Sequence, residues 1–475
     1  MNSLRHSFGT LDNREIIAQF NGGCITSDAG ALLLHDFEKT TGIIKQFANC
    51  FTDYRDNDRI EHSVEELIAQ RIYGIILGYE DLNDHDRLKS DQLLALVCGK
   101  DDPTGDNRRR NEDKGNPLAG KSTLNRLELS APDADKDSRY KKIVANLAKM
   151  DELLVNIFLN SHVIPPKQIV LDLDTTDDIA HGKQENIFYH GYYKNYCYLP
   201  LYIFCGNHIL CARLRPCNID ASSGTIEELS WIIEMIRNRW PNVEIIVRGD
   251  SAFCRDEIMS WCEFNEVNYV FGLSKNNRLK KIICEDLIEA RIMFTQTGKA
   301  SRIYNDFTYQ TLSSWEKERR VISKSEYMSK GENPRFIVTS LPNTIEAKEL
   351  YEDIYCARGD MENRIKEQQL DLFADRTSTH QMRANQIRLY MSSIAYTILN
   401  LFREKVLNGT ELENAQCGTI RTKILKIGAE IKVTVRKIWI EMNENYPYQE
   451  LYLIIKQKIN KIYRYITQFI KDKPK

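Results

Sequence analysis

Residues 169 to 178 read Ile-Val-Leu-Asp-Leu-Asp-Thr-Thr-Asp-Asp. An apolar, β-branched run that ends in carboxylates reads as a buried strand carrying acid to its exit. Side chains alternate faces along a strand, so Asp172 and Asp174 point the same way, roughly 7 Å apart at about 3.3 Å per residue. Thr175 and Thr176 add hydroxyls at the exit. Alone, such acids can equally mark where the chain leaves the core for water. Two later acids bear on the choice. Asp250 ends a second apolar run, Val243–Val247, through Arg248-Gly249, and Glu362 lies in a helix expected over 345–372. At about 100° per residue, Leu350, Ile354, Met361, Ile365 and Leu372 form a core-facing stripe roughly 60° wide. Tyr355, Arg358, Glu362, Lys366 and Gln369 fall within about 80° beside it. Without the strand acids that edge is a solvated face, with Glu362 and Lys366 as an i,i+4 pair. With them, Asp174, Asp250 and Glu362 converge. Hard oxygen ligands with open positions suit Mg²⁺ or Mn²⁺. Two such ions, about 3.5–4 Å apart, clamp the attacking and leaving oxygens of an in-line phosphoryl displacement without a histidine base.

Stepping outward along the chain, the order of elements is that of a ribonuclease H-like core. The first strand is followed by a hairpin, Leu199–Cys205 and Ile209–Arg215 about Gly206-Asn207, then a helix over 226–240. The Asp250 strand, a helix over 256–264 and a strand over 269–273 complete it. In that order the first and fourth strands lie side by side, so Asp174 and Asp250 meet at their ends. The expected fold is α/β: a ribonuclease H-like catalytic core (165–274 and 345–408) with a β insertion (275–344). A mainly helical N-terminal DNA-binding region (1–145) and a basic α+β C-terminal region for DNA binding or dimerisation (409–475) flank it. In the first, Ser27-Asp28 and the Ser63–Glu66 capping box open helices. In the last, 13 Lys and Arg stand against 5 Asp and Glu from Cys417 onward. There Lys423–Ile440 reads as a strand with a basic face carrying Lys432 and Arg436, followed by a helix over 448–470.

Composition narrows the rest. The chain has 475 residues, a net charge of -2 and 12 cysteines with no C-x-x-C pair, so a zinc ribbon or disulfide framework is not expected. No signal-peptide pattern opens the sequence, and the most apolar helical run, Leu389–Phe402, is too short to span a bilayer; a cytoplasmic protein is expected. Gly115 to Ser122 has the spelling of a nucleotide-binding P-loop. The dozen residues before it are too polar for the buried strand that motif needs, and Pro117 sits where the amides should wrap phosphate. Lys121 and Arg126 instead open a surface helix as candidate DNA contacts, and Arg108–Arg110 is a further phosphate candidate.

The spacing Tyr355-x2-Arg358-x3-Glu362, and a first-strand Asp followed by Thr-Thr, resemble the DDE transposases of bacterial insertion sequences that carry a β insertion before the catalytic Glu. Longer stretches are similar to transposase DDE domain group 1: Arg59-Ile-Glu-His-Ser, Gly78-Tyr-Glu-Asp-Leu-Asn-Asp-His-Asp, Leu118-Ala-Gly-Lys-Ser-Thr-Leu-Asn-Arg-Leu-Glu and Arg358-Gly-Asp-Met-Glu-Asn-Arg-Ile-Lys-Glu. The resemblance implies Asp174, rather than Asp172, as the first metal ligand, with Asp250 and Glu362 completing the set. It implies two Mg²⁺ or Mn²⁺ ions, and Tyr355 and Arg358 on transposon-end phosphates. Where the family signature ends in Lys this chain has Gln369, and Lys366 lies one turn earlier on the same face. The resemblance also places Trp315 in the insertion; a core tryptophan is the expected role. The implied activity is cut-and-paste transposition on double-stranded DNA with terminal inverted repeats and on target DNA, by a homodimer, nucleoid-associated when on DNA. A nuclease without strand transfer and an inactive DNA-binding derivative are the alternatives.

Overall fold

The apolar run at 169 becomes the strand Gln168–Thr175 (β1) at the middle of a large sheet. The computed structural model describes residues 5–471; the first four residues and 472–475 of the basic C-terminal stretch lie outside the described residues. The chain divides into two units, Leu147–Ser393 and Met1–Asn146 with Ile394–Lys475.

The first of these units holds β1 and, in chain order, Leu201–Cys205 (β2), His208–Arg213 (β3), helix Thr225–Arg239 (α1), Glu244–Gly249 (β4), helix Asp256–Phe264 (α2) and Asn268–Leu273 (β5). Ser301–Tyr309 (β6), Arg319–Met328 (β7) and Arg335–Thr339 (β8) follow. The strand order is β3-β2-β1-β4-β5-β8-β7-β6. β1, β4 and β5 run parallel, and the other pairs along this path are antiparallel. The stretch 275–344, read as a β insertion, opens with two helices, Asn277–Ile282 and Cys284–Thr297. Its strands β6, β7 and β8 continue the same sheet beyond β5.

Alternation along β1 and β4 sorts the two faces. Ile169, Leu171, Leu173, Ile245 and Val247 enter a core shared with Leu229, Ile232, Ile233 and Ile236 of α1 and Ile258, Met259 and Cys262 of α2. Val170 and Ile246 point the other way, toward Leu350, Tyr351, Ile354 and Tyr355. Asp172 and Asp174 share that second face, so the acids look toward the segment that brings Glu362.

That segment is not the uninterrupted helix expected over 345–372. It is α-helical over Ala347–Glu349, π-helical over Leu350–Tyr355, 3₁₀ over Cys356–Arg358 and α-helical again over Gly359–Leu372 (α3). The Ile354 carbonyl, in the widened turn, accepts from the Arg248 guanidinium.

In the other unit Ser63 and Glu66 form the expected capping box ahead of helix Val64–Ile76. Helix Ala31–Thr41 is preceded by Gly30 without a side-chain cap. Asp28 instead accepts from the Tyr79 hydroxyl at 2.7 Å and pairs with Lys426 at 2.6 Å. The strand expected over 423–440 is a π turn, Arg421–Leu425, followed by the hairpin Ala429–Val433 and Ile438–Met442. The reversal lies at Thr434, whose hydroxyl donates to the Lys437 carbonyl and accepts from its amide. Among the described residues no helix is long and apolar enough to cross a membrane.

Candidate active site

β1 and β4 pair in register Leu171 to Val247, Asp172 to Arg248 and Leu173 to Gly249. Asp172 therefore lies opposite a cation. Arg248 holds its carboxylate with two nitrogens, Nη2 standing 2.8 Å from Oδ2, and Asp172 is only 2% exposed. Two residues on, Asp174 clears that pair. Its Oδ1 accepts from the Thr175 amide at 2.9 Å. Asp250 follows β4, and its Oδ1 accepts from the Ala252 amide at 2.8 Å, which orients the carboxylate at the strand end.

Asp174, Asp250 and Glu362 line one cleft of about 680 Å³, together with Thr175, Thr176, Arg358, Lys366 and Gln369. Arg358 spans two of the acids: Nη2 is 2.8 Å from Glu362 Oε1 and Nη1 is 3.4 Å from Asp174 Oδ2. Burial pushes the Asp174 carboxyl up to about 6; Asp250 and Glu362 push the same way, while Arg358 and the Thr175 amide oppose. Burial also works against the charge on Arg358, but Asp174, Tyr355, Glu362 and Asp250 outweigh it and raise its pKa. Among the described residues no three His, Cys, Asp or Glu side chains are gathered closely enough to enclose an ion. The guanidinium of Arg358 bridges Asp174 and Glu362.

Lys366 is exposed on the cleft wall. Gln369 turns its amide inward, to Asp178 Oδ1 at 3.1 Å and the Asp177 carbonyl at 3.3 Å. Tyr355 lines a second cleft of about 400 Å³ that shares Asp250 and Arg358 with the first and adds Ser251, Gly272, Ser274, Lys275, Arg335 and Tyr351. A Cβ at position 272 would lie 2.6 Å from the Tyr355 hydroxyl and 3.0 Å from the Ser251 amide, so the seat of this ring requires glycine.

Two groups of site residues escaped sequence reasoning. Lys275 and Arg335 sit in unremarkable polar stretches, and only the sheet brings them to the second cleft. His190, Tyr192 and Tyr193 line the acid cleft from a stretch that reads as a polar connection. Its signal was the run of five aromatic residues between Phe188 and Tyr196.

The remaining candidates lie in the other unit. Lys121 Nζ is 3.0 Å from Asn83 Oδ1 and 3.4 Å from Asp86, whose carboxylate also accepts from the Lys121 amide. That acid stands at the helix N-terminus, where a P-loop would hold phosphate. Arg126 lies in the last turn of the same helix. Lys432 is paired with Glu430 at 3.1 Å and Glu441 at 2.6 Å, so the hairpin does not present the purely basic face expected of it. Arg436 is exposed at its turn. Arg108 pairs with Glu61 and Asp113, and Arg110 with Glu112. Trp315 is 6% exposed and packs edge-on against Tyr309, with Arg319 over its ring, as a core residue.

No curated protein matches the chain. Among solved structures it resembles a piggyBac transposase, in a synaptic complex with hairpin DNA, at 11% identity. That likeness covers 84% of this chain and 80% of the other, with a TM-score of 0.41. Residues 8–464 match the family described as Transposase DDE domain group 1, and on this match over nearly its whole length the chain belongs to that family.

Proposed function

We propose that this chain binds the terminal inverted repeats of its own insertion sequence and moves the element by cut-and-paste, as a homodimer, through metal-dependent cleavage and strand transfer. The observation that carries this reading is the convergence of Asp174, Asp250 and Glu362 on one cleft while Asp172 is consumed by Arg248. The strand order around β1 and β4 supports a ribonuclease H-like core.

The donor set fits Mg²⁺ or Mn²⁺: three hard carboxylates, with a guanidinium already drawn between two of them. Asp174, Asp250 and Glu362 would hold two ions, which supply charge stabilisation and activate water or a 3′-hydroxyl for in-line attack. The chain's own part is to position the strand. Arg358 reaches both Asp174 and Glu362 and presents a planar fork that can take a phosphate bidentately. Tyr355, held against Gly272, offers a hydroxyl beside Asp250. Lys366 supplies point charge on the same helix, and Gln369, engaged with Asp178, supplies an amide rather than the cation the family signature expects. Lys275 and Arg335 extend the phosphate track into the second cleft. In the other unit, Arg126 and Arg436 are stronger end-binding candidates than Lys121 and Lys432, whose charges already have acidic neighbours.

The test is excision and strand transfer from a plasmid carrying the element with its own ends. Asp174→Asn, Asp250→Asn and Glu362→Gln should each fall below detection with Mg²⁺ while still binding the ends. Wild-type rates in any of the three would remove that residue from the ligand set.

A further inference from the structure

The segment that carries Arg358 and Glu362 changes its winding at Leu350, at Cys356 and again at Gly359. Each change turns the residues beyond it about the helix axis, so the ladder upstream does not fix where Arg358 and Glu362 point. Apolar contacts hold the segment down on the sheet, but they are non-directional and tolerate a small slide. Hydrogen bonds do not.

Two directional contacts flank the pair. Ile354, one turn before Arg358, gives its carbonyl to the Arg248 guanidinium, which is 7% exposed and whose other nitrogens are held by Asp172. Gln369, two turns beyond Glu362, gives Nε2 to Asp178 Oδ1 at 3.1 Å and to the Asp177 carbonyl at 3.3 Å. Both anchors are fixed in turn to the stretch that carries Asp174. Arg248 is held from Asp172, two residues before Asp174. Asp178, four residues after it, opens a short strand, Asp178–Ile179, that pairs with Asn195–Tyr198. There Asp178 stands opposite Tyr198, and both side chains are fully buried.

Stability alone calls for neither anchor, since an apolar pair of similar volume commonly holds a core as well as a buried ion pair or better. Burial pushes the Asp178 carboxyl well above the usual carboxylate range, with the Gln369 amide opposing, so a neutral amide oxygen is a close substitute for it. Neither Arg248 nor Asp178 lines the acid cleft.

Resting on the reading of the acid cleft as a metal site, we infer that Arg248 and Asp178 are positioning residues: they pin the helical segment on either side of Arg358 and Glu362 and so set where those side chains stand relative to Asp174. Partners of this kind, one contact removed from a metal ligand, typically change metal affinity or activity by about 10- to 100-fold when altered.

The experiment compares variants of the full chain. Arg248→Lys keeps a charge beside Asp172, but a single point donor cannot serve Asp172 and Ile354 together. Arg248→Met/Asp172→Leu removes the ion pair as a unit, and its denaturation midpoint should equal or exceed that of wild type. Asp178→Leu removes the acceptor for Gln369, and Asp178→Asn restores one. Three quantities are read: amide hydrogen exchange of residues 354–369 without metal, Mn²⁺ binding by electron paramagnetic resonance of the free ion, and cleavage against Mn²⁺ concentration. The first three variants should exchange faster than wild type in this stretch, bind Mn²⁺ about tenfold more weakly and cut about 10- to 100-fold more slowly. Asp178→Asn should recover the wild-type exchange and Mn²⁺ affinity, a rescue that a charged metal ligand would not allow. Wild-type exchange in both Arg248→Met/Asp172→Leu and Asp178→Leu would overturn the inference. So would faster exchange with unchanged Mn²⁺ binding, which would leave the anchors merely structural, or an Asp178→Asn protein as impaired as Asp178→Leu. Failure of the metal reading is separately visible: cleavage at wild-type rates by the Asp174, Asp250 and Glu362 variants would sink that reading, while the exchange data would still report whether the anchors hold the segment.

Discussion

Asp172 and Asp174 are two residues apart on one face of one strand, and their surroundings give them opposite consequences on substitution. Asp172→Asn leaves the Arg248 guanidinium buried without its counter-charge, and breaking a buried pair from one side costs about 3–5 kcal/mol. The denaturant midpoint should fall accordingly, with an unchanged m-value. Asp174→Asn removes a carboxylate crowded by Asp250 and Glu362, so its midpoint should stay level or rise while cleavage disappears. A stable, inactive Asp172→Asn protein would reverse the assignment. Arg358 offers a second residue-scale test. Lysine keeps the charge but cannot span both Asp174 and Glu362, and a charge-assisted hydrogen bond is worth about 1.5–3 kcal/mol. Cleavage by Arg358→Lys should therefore drop by about 10- to 100-fold in single-turnover assays.

The helical segment that carries Arg358 and Glu362 is docked by its π turn together with the expected apolar stripe, of which Leu350, Met361, Ile365 and Leu372 are buried. Leu350 and Tyr351 pack on Ile246, Val270, Ile322 and Ile337, and the Tyr355 ring closes down on Gly272 of β5. Gly272→Ala should destabilise by about 1–3 kcal/mol, the usual cost of overpacking. In a Tyr355→Phe background the hydroxyl that the new methyl would strike is gone, while the Ser251 amide 3.0 Å away remains. The Gly272→Ala cost should then shrink by at least about 0.5 kcal/mol without vanishing, measured as a double-mutant cycle in urea. Strict additivity would mean that strand and helical segment do not meet through this contact.

For the whole molecule, stability need not follow the site. In the unit that lacks the cleft, burial raises the Glu38 carboxyl to about 7; the Ile44 amide, 2.7 Å from Oε1, opposes this and Glu65 adds to it. The folded state thus binds a proton that the unfolded chain has released above its ordinary pKa near 4.3. Stability from this group is full below that value and is lost as pH rises toward 7, by about 3 kcal/mol. Glu38→Gln keeps an acceptor for the Ile44 amide. It should flatten the fall in melting temperature between these pH values and be the more stable protein above pH 7. A fall as steep as that of wild type would show that Glu38 does not titrate in this window. Cleavage should be unaffected, since Glu38 lies outside the acid cleft.

Much of this was legible in the sequence because it is local. The apolar, β-branched run ending at Asp174, the second apolar run ending at Asp250, the helix Asp256–Phe264 and the Ser63 capping box each report a backbone preference set within a few residues. So does the spacing of Tyr355, Arg358 and Glu362, which placed them near one another whatever the exact turn. What the tertiary structure alone decided is pairing at a distance. Arg248 meets Asp172 across 76 residues because β1 and β4 align in one register, and that alignment leaves Asp174 for the cleft. The π turn at Leu350–Tyr355 appears in a stretch whose apolar spacing suits an ordinary helix. Lys432 finds Glu441 across a hairpin that reads as one strand, which reduces the basic face expected there. The tyrosines at 192 and 193 became part of the site only when the sheet brought their turn over the acids. A strand's own residues set its periodicity, but its neighbours set its register, and register decides which charges are neutralised and which stay open to substrate.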